Sequence, residues 1–415
     1  MSQSIISFTR GVPPAESFPK EKLAECATAA LMEYGDEVLQ YAPARGFRPL
    51  RALIAGETGA HEDQVILGQG SLQLLDLLAR MLVRPGDVAY TEEPSYDRAI
   101  TVLRRAGARV VGIPLHDDGP DVEALEERLR GGERPVLFYL VPDFQNPSGS
   151  VMAARKRQRV AELARQYGFW VVEDLPYRRL RYRGTDLPTL RDFAPERVVQ
   201  MSSYSKLISP GLRVGYAIVP PDLTEPLVKM AEDTYINASY LNQAIVYEFI
   251  RRGWLESHLE YLKSLYRPRL EALLDALDRH LSGRGRWHRP DGGFFVGLHL
   301  NGPVRAEDLL RRAQEAGLRL TDGRGFFANG GGDGFIRLPF CALTPEEIRE
   351  GIGRLARVVP HPSPCPLPSP DLRSGEGSNR IVCQTGVTGG PSAPQLTSKF
   401  KAPFPAIPDH RIQDG

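Results

Sequence analysis

Apolar positions along this chain follow two rhythms. From Val65 to Val219, short runs such as VILG, VAYTEE, ARVVGIPL, VLFYLV, FWVVED, RVVQMSS and RVGYAIV alternate with segments of helical spacing, among them SLQLLDLLARMLV and Tyr96 to Arg105. Runs that are apolar on both faces and separated by helices predict buried strands of a mostly parallel sheet with helices on each side. The expected fold class is α/β, with one large three-layer unit. After about Thr234 the spacing turns helical through HLEYLKSLYRPRLEALLDALDRHL, where Pro268 predicts a kink or a boundary between two helices. GGFFVGLHL, EDLLRRAQEAG, GFIRLPF and TPEEIREGIGRLARVV then predict a smaller α+β unit, its last helix capped by Thr344 ahead of Glu346 and Glu347. The N-terminal arm is expected to pack with this smaller unit or across a subunit boundary.

The pattern ends near residue 358. Of the 35 prolines, 11 lie in 358–415, where the apolar period disappears. A segment with so little surface to bury cannot offset the entropy of ordering, so it is expected to be a disordered extension outside the main chemistry.

Composition narrows the partners. The 415 residues include 52 Lys plus Arg against 51 Asp plus Glu, a net charge of +1, so no broad field recruits nucleic acid or an anionic membrane. No apolar run approaches the roughly 20 residues of a membrane span, and MSQSIISFTRG lacks the basic-then-apolar plan of an export signal. The expected location is the cytoplasm. Cys26, Cys341, Cys365 and Cys383 show no paired spacing, so neither metal nor disulfide is expected.

Lys206 raises the sharpest question. It lies in SSYSKLISPGLRVGY between two predicted core strands, where an unpaired ammonium is costly. Two further polar clusters, DFQNPSG with Asn146 and VVEDLPY with Asp174 and Tyr177, also follow predicted parallel strands, and ligands bind at that edge of such a sheet. Taken singly, Asn146 can shape a turn before Pro147, Asp174 can cap a helix, Tyr177 can fill a groove and Lys206 can form a salt bridge. One ligand would use all of them. A lysine amine forms an imine with an aldehyde cofactor, an aspartate holds the proton on a pyridinium nitrogen, and Asn146 and Tyr177 can donate to a phenolate oxygen. Ser203, Ser205 and Arg213 suit a phosphate, as does the helix start at Gly70 and Ser71 in LGQGSLQ. Tyr96 in EEPSYD can cover a planar ring or serve as core.

In their order, SSYSKLISPGLRVGY, FQNPSG and VVEDLPY resemble the signatures of the fold type I pyridoxal-phosphate enzymes. The resemblance is to the class I/II aminotransferase family, in its branch of 2-aminoadipate, kynurenine and aromatic or branched-chain aminotransferases, and runs from about Ile6 to Val359. It implies an N-terminal arm over 1–35 associated with the small domain, a large cofactor-binding domain over 36–265, the small domain over 266–359 and the proline-rich tail over 360–415. The implied cofactor is pyridoxal 5'-phosphate, held by Lys206, with Asp174 at the pyridine nitrogen, Asn146 and Tyr177 at O3' and Tyr96 on the ring. Ser71, Ser203, Ser205 and Arg213 would surround the phosphate, joined by Tyr41 from the neighbouring subunit of a homodimer. Arg337 in GFIRLPF would grip the substrate α-carboxylate with Asn146.

The implied activity moves the amino group of an L-amino acid to a 2-oxo acid, with 2-oxoglutarate the expected acceptor and Lys206, Asp174 and Tyr177 the catalytic residues. The same fold also supports decarboxylation, elimination or oxidation of amino acids, and regulators that sense the cofactor. The resemblance starts almost at residue 1, which leaves no upstream room for the DNA-binding domain of such a regulator. The chain departs from the family pattern at two places. GSLQ puts Leu72 where many relatives carry Gln, a change that a backbone contact survives. FTRGVPPAESFP puts Arg10 where small residues are common; it either approaches the distal end of an acidic substrate or forms a surface pair.

Overall fold

The computed structural model describes residues 4–359. The proline-rich tail, Cys365 and Cys383 lie outside the described residues. In chain order the strands are β1 (Ile6–Phe8), β2 (Val65–Gly68), β3 (Val88–Glu93), β4 (Arg109–His116), β5 (Gly119–Pro120), β6 (Pro135–Leu140) and β7 (Trp170–Asp174), followed by β8 (Val198–Ser203), β9 (Gly215–Ile218), β10 (Gly285–Trp287), β11 (Phe295–Leu300), β12 (Leu318–Leu320) and β13 (Phe335–Pro339). The large sheet has the order β2-β9-β8-β7-β6-β3-β4-β5. Strands β8, β7, β6, β3 and β4 pair in parallel, β9 runs against both of its neighbours, and β5 turns back on β4.

Side-chain alternation produces the three layers. Along β6, Leu137 and Tyr139 join one core while Phe138 and Leu140 join another; β7 divides in the same way at Val172 and Val171, and β8 at Val199 and Val198. A period of two with both faces apolar leaves the sheet no solvent side. Helices Val122–Arg130 and Ala154–Tyr167 cover one face, and Ser71–Leu82 and Asp97–Arg105 cover the other. No helix among the described residues is long and apolar enough to cross a membrane.

The smaller α+β unit is built on the antiparallel sheet β10-β11-β13, and β1 pairs in parallel with β12. Thr344 caps the last helix as expected: its hydroxyl accepts from the Glu347 N-H, while the Glu347 carboxylate accepts from the Thr344 N-H at 2.8 Å. Of the two outcomes expected at Pro268, a kink or a boundary between two helices, the boundary does not occur: the proline lies inside one helix, Trp254–Leu281. Leu255, Leu259, Leu262, Tyr266, Leu270, Leu273 and Leu277 bury one continuous stripe of that helix, and this tertiary packing outweighs the hydrogen bond that proline removes.

Strand direction decides what meets at the site. The parallel strands β3, β6, β7 and β8 end on one edge, and their ends or following loops carry Tyr96, Asn146, Asp174 with Tyr177, and Lys206. Reversed β9 starts at that edge, so Arg213 arrives ahead of its strand, and β2 ends there just before Ser71. The loop bearing Asn146 is anchored by Asp143, fully buried against fully buried Arg157. Arg157 donates to the two carboxylate oxygens at 2.8 and 3.2 Å, and Arg178 donates at 2.8 Å. Burial pushes the Asp143 carboxyl up, but the hydrogen bonds and charge of Arg157, with Arg178, more than offset it and hold it below its ordinary value. A buried pair is near neutral for stability when whole and costs about 3–5 kcal/mol when one partner is lost. The loop is therefore held to one course ahead of Asn146.

Candidate active site

A cavity of about 150 Å³ opens at this edge. Its far end is formed by Asp174, at the end of β7, with Tyr96 and Tyr177 beside it. Asp174 is buried, and one carboxylate oxygen, Oδ2, accepts from the Tyr139 hydroxyl at 2.9 Å. The other, Oδ1, has no partner. Burial pushes the carboxyl up to about 7, against the pull of the Tyr139 hydrogen bond. Tyr177 is packed against Phe294 and Phe295, each ring centroid 5.6 Å away.

The near end is a polar cradle of Ser71, Leu72, Ser203, Ser205 and Arg213. Gly70 caps the helix that starts at Ser71 and offers no side chain to bond its first N-H groups, which leaves them for an anion. Only glycine fits there: φ is +84°, and a Cβ would lie 2.4 Å from Nη2 of Arg213. Nη2 donates to the Gln69 carbonyl at 2.9 Å. Ser203 and Ser205 hydroxyls lie 2.9 Å apart, and the Ser205 N-H donates to the Ser203 oxygen at 3.1 Å.

Lys206 lines the same cavity, and its Nζ donates to the Gly11 carbonyl at 3.1 Å. Burial lowers the basicity of this amine below its ordinary value; the charges of Arg213 and Arg337 act the same way, against an opposing contribution from Cys341. Arg337, on β13, reaches in from the smaller unit. Its guanidinium lies 5.0 and 4.7 Å from the ring centroids of Phe295 and Phe326, Nη1 donates to Asn146 Oδ1 at 3.1 Å, and Nη2 donates to the Thr9 carbonyl at 2.8 Å. Its buried Nε has no partner.

Three residues singled out from the sequence do not line this cavity: Arg337, which meets it through Asn146, Tyr41 and Arg10. Tyr41 is 77% exposed. Arg10 is exposed too, although its neighbours Thr9 and Gly11 accept hydrogen bonds from Arg337 and Lys206. Tyr139, by contrast, is a site residue that sequence reasoning misses. Its signal is a hydroxyl inside the otherwise apolar run VLFYLV, two residues from Val141 on the face that carries Asp174. Among the described residues no group of three or more His, Cys, Asp or Glu is arranged to hold a metal ion.

The family model for aminotransferase class I and II matches residues 4–355. The chain belongs to that family. This aminotransferase is 40% identical over 359 residues to the 2-aminoadipate transaminase of Thermus thermophilus, a match covering 86% of this chain and 90% of that protein. It is 32% identical to aromatic-amino-acid aminotransferase 1 of Thermococcus litoralis, over 86% and 88% of the two chains. The crystal structure of an α-aminoadipate aminotransferase from Thermus thermophilus, complexed with N-(5'-phosphopyridoxyl)-L-leucine, superposes with a TM-score of 0.81 at 40% identity, covering 86% of this chain and 92% of that one. The fold type I architecture and the enzyme class follow: a pyridoxal-phosphate-dependent aminotransferase that moves an amino group between an amino acid and a 2-oxo acid.

The residues of the cavity fit that cofactor. A buried aspartate oxygen without a donor suits a protonated ring nitrogen, and the Gly70, Ser71 and Arg213 cradle suits a phosphate.

The unpaired oxygen has a measurable consequence in the protein stripped of cofactor. Because the Asp174 carboxyl is raised from 3.8 to about 7, the native carboxylate is penalised wherever the unfolded one is already ionised. Asp174→Asn should therefore raise the thermal unfolding midpoint by an amount that is absent near pH 4, grows up to about pH 7 and is level above it. A difference that does not vary with pH would contradict burial as its cause.

Proposed function

We propose that Lys206 is the lysine that holds pyridoxal phosphate and then moves the substrate α-proton. The observation that carries this reading is one cavity containing both a lysine of lowered basicity and a buried aspartate with an unpartnered oxygen. When bound, the cofactor supplies an aldehyde to take the amino group and a ring that draws electrons from the α-carbon. Asp174 keeps the ring nitrogen protonated, since a cation facing Oδ1 favours its carboxylate form. Asn146 and Tyr177 hold O3', Tyr96 covers the ring, and Ser71, Ser203, Ser205, Arg213 and the Leu72 backbone hold the phosphate. Arg337 and Asn146 bind the substrate α-carboxylate, which gives the guanidinium an anionic partner within its apolar sandwich of phenyl rings. The Lys206 amine, when free, would take the α-proton, and its lowered basicity brings it closer to the working pH. In the second half-reaction 2-oxoglutarate takes up the amino group.

Borohydride added to the cofactor-loaded protein should fix the cofactor to Lys206, and Lys206→Ala should lose about 10²–10⁴-fold in turnover from proton transfer alone. A label on another lysine would overturn the assignment.

The working form is a homodimer in which Tyr41 reaches the phosphate in the neighbouring subunit. Its 77% exposure, beside Leu39 at 72% and Met32 at 82%, leaves an apolar surface for a second copy. Light scattering should report twice the chain mass; a fully active monomer would contradict this.

Arg10 is assigned to the distal carboxylate of an acidic donor, in keeping with the 40% identity to a 2-aminoadipate transaminase. In a panel of acidic, aromatic, branched and basic donors, Arg10→Ala should lower kcat/KM for 2-aminoadipate and glutamate about tenfold or more while sparing the rest. A uniform effect would return Arg10 to the surface.

A further inference from the structure

One buried acid near the cavity takes no part in the chemistry above. Glu92, the penultimate residue of β3, is 1% exposed, and no cation pairs with it among the described residues. Its Oε2 accepts from the Val141 N-H at 3.0 Å and from Gln145 Nε2 at 3.1 Å. Gln145 is itself fully committed. Nε2 also donates to the Pro94 carbonyl at 2.8 Å, while Oε1 accepts from the Ser148 N-H at 2.9 Å and the Ser148 hydroxyl at 2.7 Å. The Gln145 N-H donates to the Ser150 carbonyl at 3.0 Å. One carboxyl oxygen thus ties the end of β3 to both the start and the middle of the loop after β6. Val141 lines the cavity, and Asn146 follows Gln145 in the chain.

We propose that Glu92 is a positioning residue for the substrate-carboxylate clamp: through Gln145 it fixes Asn146, and through Asn146 it orients the guanidinium of Arg337. The Asn146 to Arg337 hydrogen bond joins this loop to the smaller unit, beside the bond from the Gly297 N-H to the Ser148 carbonyl at 2.9 Å, so an error in the loop at Asn146 passes to the guanidinium. Without Glu92 Oε2 the buried Val141 N-H would lose its acceptor and Gln145 Nε2 would keep only the Pro94 carbonyl, and burying a donor without a partner costs about 1–3 kcal/mol, enough to shift the loop. Burial pushes the Glu92 carboxyl up to about 8, against the hydrogen bonds from Val141 and Gln145. At neutral pH it is mostly protonated and serves as a shaped acceptor, not as a fixed charge. Glutamine at this position keeps the acceptor; leucine removes it.

The inference rests on the assignment of Asn146 and Arg337 to the substrate carboxylate, so Asn146→Ala is the reference variant. Holoenzymes of the wild type, Glu92→Gln, Glu92→Leu, Gln145→Leu, the Leu/Leu double variant and Asn146→Ala are compared in three measurements: KM and kcat for L-glutamate with a 2-oxo acid acceptor, the Kd of unreactive glutarate from the visible absorbance of the bound cofactor, and the unfolding midpoint. Glu92→Leu and Gln145→Leu should each raise KM and the glutarate Kd about tenfold with a smaller change in kcat, and the double variant should be no worse than either single. Glu92→Gln should stay within about twofold of the wild type. If Glu92 were purely stabilising, Glu92→Leu would lower the unfolding midpoint and leave both constants unchanged. That result, with Asn146→Ala impaired, overturns the role of Glu92 while the clamp stands. Unchanged constants in Asn146→Ala overturn the clamp assignment and the inference with it. A Glu92→Gln variant as impaired as Glu92→Leu overturns the acceptor argument. If Glu92→Leu does not fold, Gln145→Leu tests the same contact from the loop side.

Discussion

A carboxylate held out of water with only one of its oxygens partnered is the constraint on which the strand-end edge depends. Four acids are buried around this edge, and of these only Asp174 has an oxygen that is fully buried with no hydrogen-bond partner. Glu92 accepts from Val141 and Gln145, Asp143 from Arg157 and Arg178, and Glu173 from the Leu190 N-H at 2.7 Å and Gln200 at 3.1 Å. Asp174 has Tyr139 alone, and the oxygen left over belongs to the residue that borders the cavity. Burying such an oxygen costs several kcal/mol unless something supplies a donor. A mobile framework would relieve that cost by letting water in or turning the side chain. Packed helix layers on a sheet without a solvent face hold the end of β7 in place, so the oxygen keeps its aim into the cavity.

Much of this was legible in the sequence because the chemistry sits where the apolar pattern breaks. SSYSKLISPGLRVGY, DFQNPSG and VVEDLPY each follow a run that can only be a buried strand, and parallel strands deliver their following loops to a common edge. Ten of the residues singled out from the sequence line one cavity for that reason. The direction of β9 was not legible: RVGYAIV reads as apolar from either end, and nothing in it announces that the start of the strand, with Arg213 just ahead of it, lies at the edge where the parallel strands end. Tyr139 was hidden by its own hydrophobicity, since a tyrosine in a core strand needs no ligand to explain it. At Pro268 local chemistry lost to a long buried stripe, which a window centred on the proline cannot weigh. Tyr41 and Arg10 lie outside the cavity of their own chain, and a single chain holds no signal for what a second copy or a substrate brings to them.

The N-terminal segment meets Lys206 and Arg337 through its backbone. Thr9 and Gly11 present carbonyl oxygens to Arg337 and Lys206, so these two cations have partners whatever side chains the arm carries. Close approach of backbone to backbone appears again at Gly215, where a Cβ would lie 2.4 Å from the Ser71 nitrogen. Side-chain identity at such positions is limited by space, which is why short glycine-bearing turns recur around the polar cradle.

Lys206 and Arg213 occupy a single hairpin loop whose two ends, Ser203 and Gly215, face each other across β8 and β9. Arg337 belongs to a different sheet and meets that assembly through Asn146 and the arm. The amine, the cradle and Asp174 are therefore carried by the large sheet and the guanidinium by a small one. A bound ligand would be gripped at its two ends from different sheets, so the length it must have is set by how those sheets are joined.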